Sequence, residues 1–284
     1  MKIIDILNEK RATLSFEVFP PKSDTTYENV ISAVNAVAKL SPDFMSVTYG
    51  AGGSTQGYSL DVAKVINSHG VPALAHTTCI SDSAEGIRAK LTALRENGIK
   101  NILALRGDIP QDFTGELQFK HANDLVQEIK KFGDFCIGGA CYPECHPESA
   151  NVQEDLKYLK EKVDCGCSFL TSQMFFDNDV FYTFLERVQK VGINVPVLAG
   201  IMPVTNARQI TRMLSLSGGT LPKKFNKIIE RYGDDDLAMM HAGIAYATDQ
   251  IIDLYANGVK GVHVYSMNKP YVAQKITENL KGII

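Results

Sequence analysis

Eight short apolar segments at near-regular intervals constrain this chain more than any other feature. They are Thr13–Phe19, Phe44–Gly50, Pro72–Cys79, Asn101–Asp108, Cys136–Tyr142, Phe169–Phe176, Val195–Met202 and Gly261–Met267. Each is rich in β-branched and apolar residues and of strand length. The runs read as continuous rather than alternating, as expected of parallel strands covered outside by helices. Between them, apolar residues recur every three to four positions over Tyr27–Leu40, Ser59–His69, Ser83–Asn97, His121–Phe132, Asn151–Val163 and Asp179–Val191. That period predicts helices. The first seven strands begin about 30 residues apart, the size of one βα unit.

The phrases Gly98-Ile99-Lys100, Gly192-Ile193-Asn194 and Gly258-Val259-Lys260 each end a helix and lead into a strand. Glycine followed by an apolar residue is the expected helix stop. The one long interval, between strands seven and eight, holds Asn206–Ser217, a Pro222-led helix to about Tyr232, and Asp236–Asn257. Its middle piece reads as an inserted helix. The expectation is an α/β fold, a (β/α)8 TIM barrel with an extra helix between strands 7 and 8, forming a single catalytic domain over residues 1–284. A doubly wound open sheet is the alternative. It calls for a Gly-rich first turn, whereas strand one runs into Pro20-Pro21.

Composition narrows the function classes. Hydrophobic residues make up 45% of the 284, enough for a large core, and the net charge of −3 offers no attraction for nucleic acid or an anionic membrane. No apolar run approaches the ~20 residues that span a bilayer. Asp5 and Glu9 interrupt any signal-peptide pattern, so a cytoplasmic location is expected. Six cysteines include Cys141-x3-Cys145-His146 and Cys165-x-Cys167. Neither has the paired spacing of a structural zinc site, so no metal is expected and the thiols read as buried or incidental.

A barrel of this kind builds its site from the strand C-termini and the loops after them. Those ends are polar here: Glu17 on strand one, Ser46-Val47-Thr48-Tyr49 on strand two, His76-Thr77-Thr78 on strand three, Arg106-Gly107-Asp108 on strand four. Strand five ends in Tyr142-Pro143-Glu144-Cys145-His146-Pro147-Glu148, strand six carries Thr171-Ser172-Gln173, and strand eight ends in Tyr265-Ser266-Met267-Asn268. Buried polar groups are costly unless paired, and so many of them are more than hydrogen-bonding plugs of the barrel mouth would need. Glu17 stands within an apolar strand, where desolvation is expected to raise its pKa and suit it as a general acid. The plainer reading is an ion pair with Arg106 or Lys22. Asp108 follows a glycine that lets backbone approach a ligand, and reads as a fixed negative charge beside a cationic ligand or as a helix N-cap. Gly50-Ala51-Gly52-Gly53-Ser54-Thr55 lacks the lysine of a phosphate loop. No strand offers a C-terminal lysine for Schiff-base chemistry, and no G-x-S-x-G is present.

Five motifs, in order from Ser15 to Asp177, carry a resemblance that extends over Leu14 to Lys269. They are Ser15-Phe16-Glu17-Val18-Phe19-Pro20-Pro21-Lys22, Ser46-Val47-Thr48-Tyr49-Gly50-Ala51-Gly52, Ala104-Leu105-Arg106-Gly107-Asp108, Tyr142-Pro143-Glu144-Cys145-His146-Pro147-Glu148 and Gln173-Met174-Phe175-Phe176-Asp177. Together they resemble the 5,10-methylenetetrahydrofolate reductases, in the form of the bacterial catalytic barrel. The resemblance implies non-covalent FAD and a two-step reaction. NAD(P)H reduces the flavin and leaves, then methylenetetrahydrofolate takes its place and receives the hydride.

The roles that the resemblance implies are specific. Glu17 matches the general acid that opens the folate's five-membered ring, and Asp108 the residue near flavin and pterin that stabilises the cationic folate. FAD contacts fall on Thr48, His76, Leu105, Arg106, Gly107, Asp108, Ala122, Tyr142, His146, Asp155 and Lys162. The substrate side falls on Glu17, Tyr49, Ala51, Gln173, Gln209, Tyr265 and Lys269. Asp155 and Lys162 would share a face of one helix, and Arg106 with a basic neighbour would suit the FAD diphosphate. Departures are His121 in place of a usual Tyr, Tyr158 and Glu161 in the FAD-tail region, Met213 in place of a stacking Phe, Gln56-Gly57 for Arg-Asp, and Lys269 for Arg. Lys269 lacks the bidentate carboxylate fork of arginine. They bear on the donor, which is NADH, NADPH or an electron-transfer partner protein, more than on the reaction. Family members assemble as homo-oligomers. The other function classes are a folate- or corrinoid-binding methyltransferase barrel without redox chemistry, and a partner-dependent or non-catalytic subunit.

Overall fold

The repeated helix stops close as their sequence requires. At Gly98 φ is +72°, a left-handed conformation open to glycine, and the following Ile99 N–H returns to the Leu94 carbonyl at 3.0 Å. Gly192-Ile193 and Gly258-Val259 repeat this bond to Val188 and Leu254. Helix starts are set by side chains that accept from free backbone N–H groups, as Ser83 does from Gly86 and Asn151 from Glu154.

The computed structural model describes residues 1–21, 25–49, 56–80, 82–109, 117–210, 213–214 and 219–284, with the side chains of 56 and 57 left aside. The strands are β1 (Thr13–Val18), β2 (Phe44–Val47), β3 (Ala73–Thr78), β4 (Asn101–Leu105), β5 (Cys136–Cys141), β6 (Phe169–Ser172), β7 (Val197–Ile201) and β8 (Gly261–Tyr265). The helices are α1 (Ile3–Glu9), α2 (Tyr27–Ala38), α3 (Gln56–Ser68), α4 (Ala84–Glu96), α5 (Ala122–Phe132), α6 (Val152–Cys165), α7 (Asn178–Lys190), α8 (Lys223–Tyr232), α9 (Asp236–Ala256) and α10 (Pro270–Leu280), with a 3-10 turn at Ala207–Gln209. The strands form a closed barrel in sequence order, and the parallel β1–β8 pair sets Ser15 opposite His263 and Glu17 opposite Tyr265. The fold is the expected TIM barrel, with α8 as the inserted helix.

Three features depart from the sequence reading. The strands end earlier, β2 at Val47 and β6 at Ser172, so several polar motifs lie in loops just past the strand ends. An unforeseen N-terminal helix, α1, lies before β1. Its Ile3 and Leu7 join Phe44, Leu74, Leu103, Cys136, Phe169 and Leu198 in one buried cluster. That cluster plugs one end of the barrel, and Asn101 ties α1 to it by accepting from Ile3 N at 2.8 Å. Finally, the strands alternate rather than run continuously apolar. In β1, Leu14, Phe16 and Val18 belong to the main helix-facing core, whereas Thr13, Ser15 and Glu17 point to the interior of the barrel. Among the described residues no helix is long and apolar enough to cross a membrane.

Candidate active site

Above the apolar plug, the interior wall turns polar. Glu17 is 7% exposed, and one of its carboxylate oxygens, Oε2, lies 3.4 Å from Ser46 Oγ on β2, 3.5 Å from His76 Nε2 on β3 and 3.8 Å from His263 Nε2 on β8. Among the described residues no lysine or arginine is in ion-pair distance of it. Arg106 is engaged elsewhere, and Lys22 lies outside the described residues, as do Gly50–Thr55 with Ala51. Burial holds His76 at about 4, so the ring is neutral at physiological pH, and its Nε2 is buried with no hydrogen-bond partner among the described residues. The Ser266 hydroxyl donates to the Glu17 carbonyl at 2.9 Å, fixing the backbone beneath the carboxyl.

Tyr265 completes this wall. Its hydroxyl donates to the Ser172 carbonyl at 2.6 Å, and burial drives the phenol's pKa well above its ordinary value. Gly200 makes that crossing possible: a Cβ there would stand 2.2 Å from Ser172 O and 2.7 Å from Tyr265 Oη. Gln173 follows β6, half-buried, and turns its side-chain oxygen back to accept from Met174 N at 2.9 Å.

A second group gathers between the ends of β4 and β5. The Arg106 guanidinium grips Glu148 with two bonds of 2.5 and 2.7 Å, which raises the pKa of the arginine and lowers that of the carboxyl. The Arg106 carbonyl accepts from Cys79 N and Ile80 N. Gly107, at φ +86°, lies so close to the β3 loop that a Cβ would meet Thr78 and Ile80 at 3.0 Å. Asp108 follows it into solvent. It is not a helix N-cap, since α5 begins at Ala122 and Asp124 instead accepts from His121 N and Lys120 N. Tyr142 and His146 meet edge to face with centroids 4.5 Å apart. Asp155 accepts from His146 N, and Lys162, farther along α6, donates to the Ala140 carbonyl at 2.7 Å. Burial raises the pKa of Asp155 and lowers that of Lys162. Leu105 and Thr48 are half-buried at their strand ends.

The other residues expected on the substrate side are more dispersed. The Tyr49 ring lies 4.2 Å from Lys90 Nζ. Gln209 is exposed on the 3-10 turn, and Lys269, at the start of α10, donates to Thr205 at 2.6 Å. Met213 is buried in an apolar cluster with Met174, Phe176, Met202 and Phe225, against which Tyr265 packs. Glu144 bridges the β5 loop to the inserted segment by accepting from Thr220 N and its hydroxyl at 2.8–3.1 Å. Tyr158 and Glu161 are exposed on α6. All six cysteines are free, and burial pushes Cys79, Cys141 and Cys167 up to about 12. The sequence reading missed His263, Ser15 and Ser46 as one unit. The alternation of polar and apolar residues along β1 and β8 was the signal that could have found them.

Comparison with known proteins identifies the family. A family model described as methylenetetrahydrofolate reductase matches residues 2–281. The chain is 36% identical over its full length to methylenetetrahydrofolate reductase (NADH) 1 of Arabidopsis thaliana, covering 51% of that protein. It is 35% identical to the 5,10-methylenetetrahydrofolate reductase of Pectobacterium carotovorum, covering 95% of this chain and 90% of the relative. The chain thus spans about half the length of the plant relatives it matches and nearly all of this bacterial one. A Clostridium thermocellum protein that binds two copies of 5-methyl-5,6,7,8-tetrahydrofolic acid has the same fold over the whole of both chains, with a TM-score of 0.72 at 13% identity. The motif order, the barrel and the full-length family match have one conclusion: this chain belongs to the methylenetetrahydrofolate reductase family.

Proposed function

We propose that the protein reduces 5,10-methylenetetrahydrofolate to 5-methyltetrahydrofolate with FAD and NAD(P)H. The observation that carries this is Glu17: a buried carboxyl at the barrel mouth, with no lysine or arginine partner among the described residues, in a chain of this family. The residues fit a flavin. A neutral buried imidazole at His76, its Nε2 without a partner among the described residues, offers a polar contact at the end of β3. Arg106, Lys162 and the close-packed backbone at Gly107 offer positive charge and access for a diphosphate. Leu105, Tyr142, His146, Ala122, Thr48 and Asp155 complete that set. When bound, FAD supplies a two-electron relay between the nicotinamide and the one-carbon unit of the folate.

The chain's own groups do the rest. Glu17 donates a proton to the folate, opening its five-membered ring to an iminium electrophile, and burial keeps water from competing for that proton. The exposed carboxylate of Asp108 faces the cation so formed. We assign Gln173, Tyr49, Gln209, Tyr265 and Lys269 to the substrate side. We place the reaction in the cytoplasm, in a homo-oligomer of a single-domain barrel.

The test is spectroscopic. Purified protein reconstituted with FAD is expected to be yellow, bleached by NADH or NADPH without oxygen, and restored by methylenetetrahydrofolate. A colourless protein that takes up no FAD overturns the proposal. Glu17→Gln is expected to keep flavin reduction and to slow reoxidation by folate by about 10²–10⁴-fold, the worth of a positioned general acid.

A further inference from the structure

The interior chain of hydroxyls and imidazole next to Glu17 has a defined direction. Ser15 Oγ lies 3.0 Å from the Val262 carbonyl and 2.8 Å from His263 Nδ1. Ser46 Oγ lies 2.9 Å from His263 Nε2 and 3.4 Å from Glu17 Oε2. All these groups are buried, with His263 1% exposed and both serines fully enclosed. A hydroxyl has one hydrogen to give, and a neutral imidazole one N–H. Ser15 has a carbonyl to donate to, so it receives the N–H of His263 at Nδ1. That leaves Nε2 a bare acceptor, which draws the hydrogen of Ser46. The Ser46 oxygen then presents lone pairs, not a donor, to Glu17.

We infer that His263 is a positioning residue for Glu17: locked as its Nδ1–H tautomer by Ser15, it turns Ser46 into an acceptor that favours the protonated carboxyl. This deepens the proposed role of Glu17 as the acid and, for its kinetic consequence, rests on it. Among the described residues, the other titratable groups around Glu17 offer no competing charge. His76 on β3 is neutral, and the Tyr265 phenol on β8 is committed to Ser172. A hydrogen bond donated to a carboxylate stabilises the charged form, so withholding the Ser46 donor keeps the proton on. The stack of Phe44 on His263, at 5.6 Å, holds the imidazole plane from below.

The test reads proton positions in the protein without cofactor or folate. Nitrogen-15 NMR of histidine-labelled protein is expected to show the His263 proton at Nδ1 and Nε2 as the acceptor. Infrared difference titration follows the carboxylic C=O band of Glu17, assigned by its loss in Glu17→Gln. Ser15→Ala removes the lock, so His263 is free to donate from Nε2, and Ser46 turns its hydrogen to Glu17. The band is then expected to disappear at a pH lower by about half a unit or more, an about threefold loss of proton affinity. His263→Phe is expected to shift it the same way, and Ser15→Ala decides the matter if that variant does not fold. An Nε2–H tautomer in the parent protein, or a titration unmoved by Ser15→Ala, overturns the inference. In the reconstituted enzyme the alkaline decline of the folate half-reaction should move to lower pH in step. If the band moves and the rate profile does not, Glu17 is not the acid, while the positioning of its proton stands.

Discussion

The two ends of the barrel interior use the same strands in opposite ways. At one end, Phe44, Leu74, Leu103, Phe169 and Leu198 meet α1 in an apolar plug. One inward step along the strands, Ser46 follows Phe44, His76 follows Leu74, and Thr171 follows Phe169, each buried yet polar. Inward-facing residues recur every second position, so a single step separates a layer made for stability from one made for chemistry. The apolar layer gains from displaced water and tight packing. The polar layer bears a cost, which is acceptable where a ligand or a directed hydrogen bond recovers it.

The largest effect expected from breaking the contrast is at the plug. Phe169→Ala leaves a cavity over Gly138, whose missing Cβ would otherwise sit 2.5 Å from the ring. It should cost about 3–5 kcal/mol by urea midpoint, with activity per folded molecule retained. Activity lost in proportion beyond the folded fraction would mean that the two layers are not independent.

Acid is expected to strike the polar layer next. The unfolded chain protonates His76 near 6.5, whereas the folded protein resists until about 4. Stability is therefore full above the first value and falls as the pH drops towards the second, by about 3 kcal/mol. Urea midpoints of the cofactor-free protein across that window measure it, and His76→Phe should flatten the slope. An unchanged slope would assign the acid sensitivity to other groups.

Smaller effects sharpen the boundary of the site. Gly200→Ala forces its methyl against Ser172 O and Tyr265, and should cost about 1–3 kcal/mol. It should also raise the KM for folate more than that for NAD(P)H, and equal changes would place Tyr265 outside the substrate wall. Smallest is Glu148→Gln. The pair with Arg106 is solvent-exposed, with 59% of the Glu148 side chain accessible, so its loss should cost less than about 1 kcal/mol. Its contribution is present above the ordinary carboxyl range and fades as the pH falls through the lowered value of Glu148. Thermal melts in low and high salt at neutral pH would check it, and a larger loss would indicate a structural clamp.

Much of this architecture is legible along the chain. The spacing of βα units, the glycine stops and the polar strand ends are local patterns, and local patterns follow from backbone sterics and helix termination. Glu17, Arg106 and Asp108 stand out because a charge within or just after an apolar run is conspicuous. The end of the barrel that α1 seals could not be read this way, since Ile3 and Leu7 gain their partners from six different strands. Nor could the chain from Glu17 through Ser46 to His263, which joins the second strand to the eighth across 217 residues. Serine and histidine have no fixed meaning in a strand. Their hydrogen-bond direction is set only when β8 closes against β1 and brings Ser15 opposite His263. Periodicity and turn chemistry are properties of neighbours in sequence, whereas the polarity of a buried hydrogen-bond chain belongs to neighbours in space.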